Sequence, residues 1–426
     1  MLLRTILFLL CVCDVIYDFF IMHLNTIQRA KPLPEEVSDI YDHDRYQEFL
    51  HYKKDYRPIV ILKDVFGLIL NAIILLSPFF SFIEHLAHGS DVLVIVYAIL
   101  LTMIPTELFS LIINDYATFT IEEKYGKNKQ TKRSFFKENA IDLLLSLLLY
   151  VLIYGGLYLL IHKVLSGVNF SGARPLFYTI VIIALVAVFM LIIFGISYLY
   201  LHLQYKFTPL EDGPLKEDIM GLMKDSKKKV KTINVYNESA KSTSKNAFLL
   251  KMPFHKEFGI ADNFLNENAH DELLGVLAHE VGHLKHKKNI FNYLQYGAYV
   301  IAVLILYLLL SHVGIVTTVA HFIDQSFHIT VNNLYLDLLV IEIIFKPLSF
   351  LLGFFRNYVS RREEYEADDN AVKEGYGEAL ISTFKQLSSD EYVDVNPHPL
   401  IETLEYDHPG MYHRIKHIEE GVRKSS

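Results

Sequence analysis

Leu277-Ala278-His279-Glu280-Val281-Gly282-His283-Leu284-Lys285 is the stretch that organises the chain. Two histidines four apart lie one above the other on a helix, because the helical repeat is about 3.6 residues. Both imidazoles can then point at a single Zn²⁺ and leave two positions of a tetrahedron open. Glu280 sits about 100° round the helix from His279, too far to be a comfortable third ligand. It can instead reach a water in the metal site and serve as general base. The competing reading is a chance HExxH on a surface helix, since the chain holds 19 His. Other parts of the sequence have to decide between the two.

A third ligand is the first test. A histidine continuation of the motif fails, because the positions it needs hold His286 and Asn289. The other solution is a carboxylate from a second helix further on. Ser360-Arg361-Arg362-Glu363-Glu364-Tyr365-Glu366-Ala367-Asp368 offers one in a helical run some eighty residues downstream. Glu364 and Asp368 share a face, so Glu364 can bind metal while Asp368, one turn along, orients a ligand histidine. Standing alone, this acidic cluster reads as a solvated helix face.

The 426 residues are 52% hydrophobic, and the apolar ones are gathered into runs. Seven runs approach or exceed the roughly 20 residues that cross a bilayer: 2–22, 65–86, 91–114, 141–162, 176–201, 293–314 and 333–355. Asp14 and Asp18 interrupt the first, and no A-x-A-like cleavage site follows, so it reads as a retained helix and not a signal peptide. Lys and Arg are dense in 23–64, 115–140, 202–292 and after 355, while 87–90 and 315–332 have none. That alternation fits seven crossings, with the N-terminus outside and the C-terminus cytosolic. The HExxH and Glu364 then fall on one face of the membrane, as a shared metal site requires.

A net charge of −8 gives no nucleic-acid footprint. Cys11 and Cys13 both lie in the first run and read as small apolar residues. Intramembrane Glu107, and Glu342 with Lys346 four residues on, point to a polar interior, Glu342 and Lys346 pairing on one helical face. Pro347 beside them should kink or break its helix. Segment 206–214 reads as turn chemistry before a helix at about 215–226. Val230–Tyr236 and Asn246–Met252 read as short strands with a turn around Lys241–Lys245 between them, either a plain structural hairpin or a sheet edge where an extended peptide could pair. The metal helix at about 270–288 is too polar to cross the membrane. Segment 115–131 reads as a capped juxtamembrane turn.

Five pieces of sequence together resemble the Ste24-type CAAX prenyl proteases, membrane zinc metalloproteases of the M48 class. They are Thr118–Gly126 with Asn128; Lys206–Gly213; Asn246-Ala247; the HExxH with Ser360-Arg361-x-x-Glu364-x-x-Ala367-Asp368; and His408-Pro409 followed by Arg414. The resemblance implies His279, His283 and Glu364 as ligands of one Zn²⁺, Glu280 as base and Asp368 behind the ligands. It also implies Asn246 and Ala247 on the substrate-pairing strand, with His408 and Arg414 reaching the bound peptide or the oxyanion. Two departures fall where substrate would lie. Lys241-Ser-Thr-Ser-Lys245 stands in place of Arg-Ser-x-His, and Phe248–Pro253 carries a proline and no glycine.

The expected fold is mainly α: a seven-transmembrane-helix bundle with a cytosolic gluzincin-like protease domain containing a small β-sheet. The expected division is helices one to five in 1–201, with cytosolic loops 23–64, partly helical, and 115–140. The first protease part follows in 202–292, helices six and seven in 293–355, and the second protease part in 356–426. The expected activity is removal of the aaX tripeptide from prenylated or other membrane-associated proteins, by a monomer held in lipid. The membrane would be the inner membrane in a bacterium or the endoplasmic reticulum in a eukaryote. A membrane-protein quality-control protease of the HtpX-like branch is the nearest alternative. A transporter or scaffold with a vestigial zinc site is the alternative from another class.

Overall fold

Five helices are long and apolar enough to cross a membrane among the residues described by the computed structural model, which are 1–159, 188, 191–192, 194–224, 230, 232–251, 256–285, 315–330 and 333–425. Four come early: α1 (Leu2–Arg29), α2 (His43–Leu76), α4 (Asp91–Tyr116) and α5 (Lys132–Leu159). Between α2 and α4 lies the short α3 (Phe79–Leu86). The expected run 293–314 and most of 176–201 lie outside the described residues.

The expected span 65–86 is corrected. Pro78 disfavours helical backbone at the residue before it, and Ser77 is indeed extended at φ −88 and ψ 171. Helix α2 therefore ends at Leu76 and α3 starts afresh. At its other end α2 begins far earlier than hydropathy suggests. Asp42 accepts from the Arg45 N–H at 2.8 Å as an N-cap, so most of the expected loop 23–64 is helix. Segment 117–122, read as part of a turn, continues α4 as a π-helical stretch.

After the membrane helices come β1 (Phe207–Pro209), α6 (Pro214–Leu222), β2 (Thr232–Tyr236), β3 (Ala247–Lys251) and β4 (Lys256–Ala261). They form a four-stranded sheet in the order β1-β2-β4-β3. The β2–β4 pair is parallel and the two outer pairs are antiparallel. Strand β3 is thus an edge, as the sequence suggested for 246–252. Phe207–Pro209, read as turn, pairs with Asn234–Tyr236 instead. Strand β4 has no alternation to betray it, since residues 257–261 are all buried. Gly259 lets it pass beneath the Phe248 ring, whose Cζ lies 2.4 Å from where a Cβ would stand.

Helices α7 (Asp262–Glu267) and α8 (His270–Lys285) follow, then α9 (Ile315–Phe327). The last expected span and the acidic run prove to be one 40-residue helix, α10 (Leu334–Lys373), continuous through Pro347. A proline removes a single i→i−4 bond, and a long packed helix tolerates that loss. Lys346 does not pair with Glu342 as expected; its Nζ donates to Asp14 Oδ2 on α1 at 2.6 Å. The chain ends with α11 (Gly377–Asp390), α12 (Pro399–Leu404) and α13 (Met411–Ser425). One core draws on Phe49 of α2, the sheet, α8, α11 and α13, so the polar half of α2 is packed against the sheet and these helices.

Candidate metal centre

Helix α8 is amphipathic, but ten of its residues are buried, including His279. That burial follows from Gly282. A Cβ there would stand 2.8 Å from Ala367 Cα and 3.1 Å from the Ala367 carbonyl oxygen, so only glycine lets α8 and α10 approach this closely. Asn370 donates from Nδ2 to the Ala278 carbonyl at 2.7 Å, and Lys285 pairs with Glu374 at 2.7 Å. These contacts press the Glu364 face of α10 onto the histidine face of α8.

The expected ligands converge. One ligand atom each from His279, His283 and Glu364 lies within 4.8 Å of the others. His279 Nε2 is 3.5 Å from Glu364 Oε2, and His283 Nε2 is 3.2 Å from Glu364 Oε1. His279 Nδ1 is 2.8 Å from Asp368 Oδ1, which leaves Nε2 as the atom facing Glu364. Burial opposes protonation of His279, yet the carboxylates of Asp368 and Glu364 outweigh it and push the imidazole up to about 9. The pocket is built to hold positive charge. Glu364 Oε2 is buried and accepts no hydrogen bond; it has only the longer ionic contacts to His279 Nε2 at 3.5 Å and Arg414 at 3.4 Å, so a metal ion bound here would complete it. Two imidazoles and a carboxylate are a donor set that zinc takes with a position left open.

Glu280 lies beside the ligands, half-buried, with its charge felt by Arg414. Arg414 is itself buried and committed. Its Nε and one terminal nitrogen donate to Asp368 at 3.0 and 2.6 Å, and the same terminal nitrogen is 3.4 Å from Glu364 Oε2. Its guanidinium also lies 4.3 Å from the Phe384 ring centre. His408 is 56% exposed, with Nε2 3.4 Å from Glu364 Oε1. It therefore stands at the open side of the cluster while Arg414 stands behind it. Asn246 is exposed at the start of the β3 edge and Ala247 is buried within it. The Asn246 carbonyl accepts from the Ala261 N–H at 2.9 Å, which anchors that start.

Some residues that shape the site were not singled out for it. Arg361 donates to the carbonyls of Glu402 and Tyr406 at 3.0 and 2.5 Å, and Asn357 donates to those of Leu404 and Glu405. Glu402 accepts from the Gly410 N–H at 2.8 Å and faces His413 Nδ1 at 2.9 Å. Together they fix the turn that carries His408. Arg361 and Asn370 could have been found from spacing, since both fall within two turns of Glu364 on α10. Glu402 gave no such signal.

Apolar helices, a sheet edge beside a HExxH helix and a convergent glutamate define a membrane metallopeptidase. Residues 209–422 match the model of peptidase family M48. Residues 23–197 match the model described as CAAX prenyl protease N-terminal, five membrane helices. The chain belongs to family M48 and is a membrane metalloendopeptidase of the CAAX prenyl protease type. A CAAX prenyl protease 1 homolog of Arabidopsis thaliana is 30% identical over 313 residues, covering 73% of this chain and 70% of that one. A probable CAAX prenyl protease 1 of Schizosaccharomyces pombe is 29% identical over 418 residues, covering 93% and 84%. The fold is that of the crystal structure of S. mikatae Ste24p, with a TM-score of 0.81, 23% identity and coverage of 98% and 99%.

Proposed function

We propose that this enzyme removes the last three residues of prenylated Cys-a-a-X proteins, using one Zn²⁺ per chain held by His279, His283 and Glu364. The observation that carries the reading is the meeting of Glu364 with the histidine pair next to the open edge of β3. The substrate class comes from relatives named CAAX prenyl protease 1. The positive-inside pattern supports a cytosolic protease domain, formed by 202–292 and 356–426 around the later membrane helices. All of the proposed site residues come from one chain, so a monomer suffices.

When bound, zinc supplies Lewis-acid polarisation of the scissile carbonyl and lowers the pKa of water to about 7. Asn246 and Ala247 orient the peptide by main-chain pairing along β3. Glu280 takes a proton from the attacking water on its carboxylate and delivers it to the leaving amine nitrogen. His408 Nδ1 donates to Asp407 at 2.8 Å, so the ring donates from Nε2 toward the developing oxyanion only as the doubly protonated imidazolium, a contribution worth about 3 kcal/mol for one such donor. Asp368 accepts from His279 Nδ1 and fixes the ring, and Arg414 holds Asp368 in turn. Arg414 Nε and one terminal nitrogen donate to Asp368, and a role for its other terminal nitrogen toward the bound peptide or the oxyanion stands as expected.

The test is mass spectrometry of products from a farnesylated Cys-a-a-X peptide and from an unfolded membrane protein, each with and without chelator. Chelator-sensitive release of the tripeptide is expected. Cleavage of the unfolded protein alone would assign the enzyme to quality control instead.

A further inference from the structure

Resting on the reading of β3 as the strand that pairs with the peptide, we propose that Lys245 sets this edge against the metal centre. It is a positioning residue, which governs how well the substrate pairs without touching it. Lys245 directly precedes Asn246, where the edge begins. Its side chain is 8% exposed, and Nζ lies 3.2 Å from Glu267 Oε2 and 3.4 Å from Asp390 Oδ2. Glu267 ends α7 and Asp390 ends α11. One residue earlier, the buried Asn263 donates from Nδ2 to the Ser244 carbonyl at 2.8 Å. One residue later, the Asn246 carbonyl accepts from the Ala261 N–H. That bond sets the alternation along the strand. Asn246 turns its main-chain groups toward β4, so Ala247 and Leu249 turn theirs outward to the free edge.

Helix α11 relates this edge to the metal centre. A Cβ on Gly275 of α8 would stand 3.0 Å from the Leu380 nitrogen and 3.2 Å from Leu380 Cα, so α8 and α11 meet at backbone distance. One turn further along α11, Phe384 meets the His279 ring edge-on, with ring centres 6.3 Å apart. Asp390 follows Phe384 by six residues, about 9 Å along the helix. Cations gather at this end of α11, as the C-terminus of a helix favours. The Ser389 carbonyl accepts from Arg45 at 2.9 Å and the Asp390 carbonyl from Lys127 Nζ at 3.4 Å. Of these three cations, Lys245 is the one in the segment that opens β3. It therefore pins the edge strand to the same helix that packs on a metal ligand. The side chains of Glu267 and Asp390 are 60% and 42% exposed, so removing Lys245 strands no buried charge. Its loss releases the start of the strand and leaves the core in place.

The experiment uses the purified full-length enzyme and a farnesylated Cys-a-a-X peptide. Two analogues carry an ester oxygen in place of the backbone N–H of the second or the third residue after the scissile bond. Alternate residues of a paired strand face its neighbour, so one analogue loses a hydrogen bond to the edge and the other does not. In the wild type the two should differ by about 2- to 10-fold in kcat/KM, the range for one hydrogen bond. Lys245→Met should lower kcat/KM for the all-amide peptide by a similar factor, mostly through KM, and bring the two analogues together. Lys245→Arg should restore the difference. Asp390→Asn, which loosens the same anchor from the α11 side, should act in the direction of Lys245→Met. Zinc should stay at one per chain throughout. A difference between the analogues that survives in Lys245→Met, or a loss of zinc there, overturns the proposal. Analogues that the wild type does not distinguish overturn the pairing of peptide on β3 instead.

Discussion

Gly282→Ala tests whether the metal centre depends on the contact between α8 and α10. The added methyl would stand 2.8 Å from Ala367 Cα, 3.1 Å from its carbonyl oxygen and 3.1 Å from Asn370 Cβ. Two of these atoms are backbone and cannot rotate away. Ordinary carbon contact lies near 3.5 Å, so the helices must part by roughly 0.6 Å or more. Such overpacking costs about 1–3 kcal/mol, and the better helix propensity of alanine returns about 1 kcal/mol. The stability change is thus modest, and the geometric change is the larger effect. Metal ligands tolerate only about 0.2 Å, and Glu364 lies one turn from Ala367 on the displaced helix. Zinc affinity should fall by about 10- to 100-fold, as it does when ligand orientation is lost. Competition with a chromophoric chelator reads the affinity, and peptide turnover reads the consequence. Gly353→Ala on the same α10, where a Cβ meets nothing within 4 Å, should leave both unchanged. Wild-type zinc affinity and turnover in Gly282→Ala would refute this reasoning.

Other substitutions probe the supporting residues. Asp368→Asn removes the negative charge that faces His279 Nδ1 and the buried Arg414, and puts an NH2 donor where one of its two oxygens accepted. Zinc affinity should drop by about 10- to 100-fold and stability by about 3–5 kcal/mol, read by chelator competition and thermal melting. His413→Ala tests the brace on the His408 turn. The hydrogen bond to Glu402 raises the pKa of His413 despite partial burial, so its stabilisation is fully present below the unfolded pKa and is lost as pH rises through the folded one. The difference in Tm between wild type and His413→Ala should therefore be larger at pH 6 than at pH 9.

The sequence carried the site further than the fold. Helical spacing, which is local, puts His279 and His283 on one face and Glu364 and Asp368 on another, and the fold brings His279, His283 and Glu364 within 4.8 Å of one another. What joins them is not local. Gly282 looks like filler within its motif until Ala367 is placed against it, and Asn370 matters only because the Ala278 carbonyl faces it. Hydropathy located the apolar parts of α2 and α10, but it could not show that each continues as one helix into polar sequence. Strand β4 escaped because both of its faces are buried, which erases the period of two. The commitment of Arg414 to Asp368 was hidden for a similar reason, since 46 residues separate them.

The most direct measurement is metal content and peptidase activity of Glu280→Gln, made together. That substitution keeps the shape of the side chain and removes the proton acceptor. One zinc per chain should remain, while kcat falls by about 10²- to 10⁴-fold, the range for loss of a general base. Wild-type turnover with zinc still bound would contradict the assignment of Glu280 as the base.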